Sequence, residues 1–219
     1  MSKNWGTNLP LHEAIASGDF RTFKFLLSVT EKARIANKSK DEKYIMSVDL
    51  PGFNNMVPLQ QAMAANKTDI LNYLLASECN LDHRDSTGNT VLHLAVVSNN
   101  IDITRRILAA PNFSAKLLLI ENNIGDSPLV LAAKFSNISI LKQLDFAINI
   151  AQYVQKSTGN TMLHIAAIQG NVENVKFFIL SGLDPLKKNN QNKNAFDFVP
   201  KHQLQSFLQS KRPKTEETL

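Results

Sequence analysis

Cysteine is almost missing from the chain. The single copy among 219 residues, Cys79, excludes an internal disulfide framework and a cysteine-based zinc cluster. Long apolar runs are missing too: residues 117–120 form a typical short one, far below the roughly 18 residues of a membrane span, so no membrane association is expected. The N-terminus, Met1-Ser2-Lys3-Asn4-Trp5-Gly6, lacks the apolar stretch of a secretory signal. Glycine is scarce, with eight copies, and no phosphate-cradling loop, Walker lysine motif or metalloprotease helix motif occurs. These absences predict a soluble, reduced, cytoplasmic protein. What is present is 43% hydrophobic and 20% charged residues, enough to build a core. The net charge of +5 and pI near 9.3 keep nucleic acid open as a partner. Asparagine is abundant, with 23 copies.

Self-comparison organises the chain. The string Thr87-Gly88-Asn89-Thr90-Val91-Leu92-His93-Leu94-Ala95 returns as Thr158-Gly159-Asn160-Thr161-Met162-Leu163-His164-Ile165-Ala166. Weaker copies run through Leu11, Leu59 and Leu129, and a degenerate one through Phe196. The anchors Leu11, Leu59, Leu92, Leu129, Leu163 and Phe196 stand 48, 33, 37, 34 and 33 residues apart. A basal period of 33 therefore holds, with about 15 extra residues after the first copy and four after the third.

Each copy reads as a helix pair. Thr90, Ser127 and Thr161 are good N-caps, and Pro10, Pro58 and Pro128 suit the first helical position. The first helix is expected to stop at Gly18, Asn66, Asn99, Ser136 or Gly170, residue types that tolerate the left-handed conformation or end a helix readily. A second helix follows with one apolar stripe: Phe23, Leu26 and Leu27; Ile70, Leu71, Leu74 and Leu75; Val175, Phe178 and Ile179. The turn before each first helix carries Gly88, Gly125 or Gly159, replaced by Asn55 and Asn192 in two copies. Asparagine is common among non-glycine residues with positive φ, so part of its excess is structural punctuation.

The chain resembles the ankyrin-repeat family, whose unit reads Asp-x-x-Gly-x-Thr-Pro-Leu-His-x-Ala-Ala, then Gly and a Leu-Leu-rich second helix. Residues 85–95 match best, and Gly170 with Gly182-Leu183-Asp184-Pro185 continues the pattern. The resemblance covers roughly residues 7–208. It implies an all-α solenoid of about six stacked helix-turn-helix units joined by β-hairpin fingers. The domain is placed at 1–208, with units near 7–27, 55–84, 85–121, 122–155, 156–188 and 189–208, an insertion at 28–54, and a disordered tail at 209–219. The end units are worn, as a solenoid needs where one side faces water. Pro200 is expected to end the last first-helix early, and a short helix near 204–208 to close the stack. The insertion carries Lys32, Arg34, Lys38, Lys40 and Lys43 against Glu31, Asp41 and Glu42 and is read as a long excursion with an extra helical turn or two. Residues 117–120 are read as a lengthened helix or a finger strand.

No catalytic, cofactor-binding or metal-ligating residue is assigned, no cofactor is expected, and the chain is not expected to be an enzyme. His12, His93 and His164 occupy the repeat's own histidine position, where the family uses the imidazole to tie one turn to its neighbour. Successive copies in such a stack lie about 10 Å apart, too far for one zinc with bonds of about 2.0 Å. His83 falls at a finger tip and His202 in the closing helix, neither with a ligand set. Cys79 stands where the family has a small buried alanine.

The resemblance also implies protein binding, through the finger tips and the solvent face of the first helix, which together line a concave surface. Carried over position by position, the contact residues are Met56, Asn89, Val97, Ser98, Ile124, Asp126, Lys134, Phe135, Asn160, Ile168 and Gln169. Val97, Phe135 and Ile168 are apolar at a usually polar position, joined by Ile124 and Met56, and Phe135 is placed as the central anchor. A nucleic-acid-associated protein using the basic insertion and C-terminal end is the alternative. It is disfavoured because a specific binder needs stacking aromatics or a recognition helix. The chain is expected to be a monomeric scaffold or adaptor for a protein partner of unknown identity. A narrower expectation is an effector that an intracellular bacterium secretes into a host cell, since residues 214–219 resemble glutamate-containing translocation signals.

Overall fold

The computed structural model describes residues 10–36, 48–77, 79–135 and 138–200, with the backbone alone for 30–36. The expected closing helix near 204–208 and the tail at 209–219 lie outside these residues, as does Ser136. Ten α-helices follow one another among the described residues. They are α1 Pro10–Ser17, α2 Phe20–Ala36, α3 Pro58–Ala64, α4 Thr68–Ala76, α5 Val91–Val97, α6 Ile101–Leu108, α7 Pro128–Phe135, α8 Ile138–Ala147, α9 Met162–Ile168 and α10 Val172–Leu180. They divide into two compact parts, one ending at Leu129 and one beginning at Val130.

Helix starts follow the sequence. Pro10, Pro58 and Pro128 open α1, α3 and α7, positions where the missing N–H would have had no partner in any case. Helix ends repeat one geometry four times. Gly18, Asn66, Asn99 and Gly170 all have positive φ. The next amide returns to an alanine carbonyl inside the helix: Asp19 to Ala14, Lys67 to Ala62, Asn100 to Ala95 and Asn171 to Ala166, at 2.9–3.1 Å. This double-bonded left-handed cap satisfies carbonyls that a helix end would otherwise strand.

In the first part α1 packs on α2 and α3, α3 on α4 and α5, and α5 on α6. The alanines Ala14, Ala62 and Ala95 are buried where these short helices approach. Second helices supply the bulk: Phe23, Ile70, Leu71, Leu74, Ile103 and Ile107 are buried, each contributing on the order of 1.5–3 kcal/mol. Leu26 and Leu27 are half-buried. Helix α2 continues to Ala36, so the insertion begins with the extra helical turns expected of it; residues 37–47 lie outside the described set.

In the second part α9 packs on α10 and on a closing 3-10 turn at Ala195–Phe198, and α8 on α10. Asn174 of α10 is buried and donates from Nδ2 to the carbonyls of Ala132 (3.2 Å) and Ala133 (3.0 Å) in α7. Beyond the closing turn comes Pro200, which cannot continue a helix.

One expectation is refined and another corrected. The fingers contain no strand among the described residues; one isolated bridge, Val154 with Thr161, is as far as pairing goes. A finger is closed by two backbone bonds across its turn, such as Asp85 N–H to the Asn89 carbonyl and Gly88 N–H to the Asp85 carbonyl, both 2.9 Å, and its other polar groups turn to side chains or to the neighbouring finger. Residues 117–120 are neither a lengthened helix nor a finger strand. A 3-10 helix runs Ala115–Leu119 behind Ser114, with Leu117 and Leu118 fully buried.

Candidate protein-interaction surface

The surface is displayed by side chains that tie each finger to the helix before it. In α5, His93 Nδ1 accepts the Thr90 N–H (3.0 Å), and Nε2 donates to the Asp126 carbonyl (3.0 Å). His164 repeats this, accepting from Thr161 N–H (3.3 Å) and reaching the Lys193 carbonyl (3.1 Å). His12 Nε2 reaches the Met56 carbonyl at 3.2 Å, while its buried Nδ1 has no hydrogen-bond partner among the described residues. Both ring nitrogens are thus committed in His93 and His164, with the proton on Nε2. Burial holds the pKa of His93 and of His12 below the ordinary imidazole value, partly offset by the bonds to the Asp126 and Met56 carbonyls. His12, His93 and His164 thus each tie a helix to the finger that follows it.

Sequence reasoning missed Gln60. It holds the same station in α3, accepting the Val57 N–H on Oε1 (3.2 Å) and donating from Nε2 to the carbonyls of Asn89 (2.7 Å) and His83 (3.2 Å). A glutamine carries an acceptor and a donor much as a neutral imidazole does; its place in the repeat was the available signal. At the corresponding place in α7 stands Val130, whose side chain can do neither.

Short amide and carboxylate side chains stiffen the fingers. Asp85 accepts from the amides of Thr87 and Asn89 (both 2.9 Å). Asn122 does so from Ile124 and Asp126, and Asn189 from Gln191 and Lys193, at 3.0–3.1 Å. Neighbouring fingers join side by side: Asn122 Nδ2 donates to Asn89 Oδ1 (2.9 Å) and, in the second part, Asn189 Nδ2 to Asn160 Oδ1 (2.7 Å). Gly88 shows why the turn is tight. Its φ is +81°, and a Cβ there would lie 2.7 Å from the backbone nitrogen of Asn123, whose N–H donates to the Thr87 carbonyl.

The expected contact residues separate on this scaffold. In the first part Val97 is 63% and Ile124 80% exposed, Ser98 is exposed, and Met56 and Asn89 are half-buried. In the second part Phe135 is 61% and Ile168 50% exposed, Gln169 is exposed and Lys134 half-buried. Asp126 and Asn160 are buried; Asn160 spends its side-chain oxygen on Asn189, and both offer little side chain to a partner. The reading of these two as contacts is corrected by that burial. Exposed apolar residues also occur away from the expected face, notably Phe146 and Leu180 near the ends of α8 and α10.

Reactive groups are accounted for. Cys79 is buried, its Sγ lies 3.1 Å from the Leu74 carbonyl, and burial pushes the thiol up to about 11, so it stays protonated at neutral pH. His83 Nε2 lies 2.7 Å from the Asn55 carbonyl at a finger tip. Among the described residues no cluster of three or more His, Cys, Asp or Glu side chains is arranged for a metal, and no helix is long and apolar enough to cross a membrane.

A family model for ankyrin repeats (three copies) matches residues 11–117 and 107–192. Similar proteins include a Caenorhabditis elegans homologue of the transient receptor potential cation channel subfamily A member 1, 26% identical over 193 residues covering 88% of this chain. The Drosophila melanogaster tyrosine-protein kinase Shark is 29% identical over 145 residues, or 64% of this chain. The chain spans 14% and 15% of the lengths of these relatives. Among solved structures, the ankyrin repeat domain of Bcl-3 has a TM-score of 0.68 at 16% identity, covering 92% of this chain and 98% of that one. A chain from the complex of the Bdellovibrio bacteriovorus endopeptidase Bd0816 with immunity protein Bd3460 has a TM-score of 0.68 at 22% identity, covering 94% and 100%.

Proposed function

Because the chain belongs to the ankyrin-repeat family, whose repeats are generally protein–protein interaction modules, we propose that it is a scaffold holding a partner protein through first-helix and finger residues. The observation that carries this is a recurrence: Val97, Phe135 and Ile168 sit near the exit of α5, α7 and α9 and are each at least half exposed. An apolar side chain recurring at one water-facing repeat position is surface that a partner can cover. Phe135 is the anchor in this reading, since aromatic side chains bring large rigid area to an interface. Ile168 and Gln169 accompany it in the second part, and within the first part Val97, Ser98 and Ile124 are exposed at the corresponding kind of position.

The test is affinity capture with wild-type and Phe135→Asp protein. Loss of the captured partner, with circular dichroism and melting temperature unchanged, is expected. A folded Phe135→Asp protein that captures the partner as well as wild type contradicts the anchor. The narrower form of the proposal is a translocated effector acting on a host protein, supported by the resemblance of residues 214–219 to glutamate-containing signals. A translocation assay on the chain lacking 209–219 tests it: transfer should fail, and unchanged transfer contradicts it.

A further inference from the structure

We propose that the two fingers of the second part, at 154–161 and 188–193, form a docking surface for an acidic segment of the partner protein, in which carboxylates meet lysines and an apolar side chain meets Leu186. This rests on the scaffold reading and specifies the partner's chemistry. The fingers are joined: Asn190 N–H donates to the Thr158 carbonyl (3.0 Å) and Asn189 Nδ2 to Asn160 Oδ1 (2.7 Å). On or beside them Lys156, Lys187, Lys188 and Lys193 are all exposed. Leu186 is 64% exposed and Val154 is exposed beside Gln155, giving the basic cluster an apolar flank.

The neighbouring acids offset it only in part. Asp184 accepts from the Leu186 amide (2.9 Å) and Asp197 from the Asn194 amide (2.8 Å); both keep their charge, and four lysines against two carboxylates leave +2. No ion pair among the described residues involves the four lysines; Lys193 Nζ lies over the Phe198 ring, 5.4 Å from its centre. Residues 130–200 hold seven lysines and four acidic residues, a net charge of +3. They contain no arginine, the side chain whose planar fork grips phosphate bidentately. The local aromatic, Phe198, is half-buried and faced by Lys193, which withholds it from base stacking. Lysine point charges with an aliphatic flank suit carboxylates on a peptide that also carries apolar residues.

The test uses the full chain and a fluorescein-labelled peptide of glutamates interspersed with leucines, read by anisotropy. Phosphatidylserine vesicles and a single-stranded oligonucleotide serve as competing probes. Wild type should bind the peptide and lose it as ionic strength rises from about 0.1 M to about 1 M, where the Debye length falls from about 10 Å to 3 Å. The double variant Lys187→Glu, Lys188→Glu should weaken binding about tenfold, with its circular dichroism spectrum unchanged. Failure of wild type to bind the peptide, undiminished binding by the folded charge-reversal variant, or tighter binding of vesicles or oligonucleotide than of peptide overturns the proposal. The scaffold reading fails by a different result, partner capture indifferent to Phe135→Asp.

Discussion

His93 and Val130 hold the same repeat position and behave oppositely. His93, in the first part, accepts the amide that opens its helix and donates to the Asp126 carbonyl of the following finger. Val130, in the second, is equally buried, but its aliphatic side chain carries no donor or acceptor with which to tie helix to finger. The difference teaches what the repeat demands. The position needs a side chain that fills the space between helix and finger; the polar tie adds strength and fixes geometry, and the fold tolerates its loss at one station. His12, Gln60 and His164 side with His93.

The largest expected effect comes from making the tied stations resemble the valine one. His93→Leu strands the buried Thr90 amide and removes a donor from Asp126, and should cost about 2–3 kcal/mol of unfolding free energy, measured in urea. A cost below about 0.5 kcal/mol would show that His93, too, acts by packing. Next in size is a left-handed helix end: Asn99→Ala places an alanine at φ 54° and should cost about 1–2 kcal/mol, while Asn99→Gly should be neutral or slightly stabilising.

His93→Gln should preserve most of the stability at pH 7, because Gln60 already makes the same pair of bonds. It should also change the pH dependence. The folded pKa of His93 lies below the unfolded value of 6.5, so the unfolded chain binds more protons as pH falls. The stability due to the neutral ring is complete above pH 6.5 and is lost as pH drops towards the lowered folded pKa. His12 acts in the same direction. Thermal melts between pH 7.5 and 5 should therefore fall less steeply in His93→Gln than in wild type, and equal slopes would contradict the assignment.

The smallest effect runs the comparison backwards. Val130→His, offered the Asn160 carbonyl, should gain about 1 kcal/mol. A loss instead would mean that the close packing at Val130 leaves no room for a ring.

How much of this was legible follows from the kind of constraint. The helix pairs, their proline starts and their Gly or Asn ends are set by local backbone chemistry recurring every 33 residues, and the sequence displays it directly. Asparagine at 66, 99, 55 and 192 takes the left-handed conformation where other copies use glycine. Two features were not legible, and a third was there to count but was misread. Asp126 and Asn160 flank a turn and read as exposed, yet short polar side chains fold back onto neighbouring amides, and only coordinates reveal which do. Gln60 was visible at the histidine position, but its equivalence to an imidazole depends on two carbonyls supplied by the next finger. The +5 charge read as shared between the insertion and the C-terminal end. Residues 1–129 in fact carry thirteen basic and thirteen acidic residues, so all of the excess falls after residue 130.

Val97, Phe135 and Ile168 face water near the exits of α5, α7 and α9, and Phe135 is the proposed anchor for a partner. Site-specific photocrosslinking tests this most directly, with p-benzoylphenylalanine at Phe135 in one protein and at Leu180, 77% exposed near the end of α10, in another. The partner should crosslink from position 135 and not from 180. Crosslinking from 180 alone, or equally from both, would contradict it.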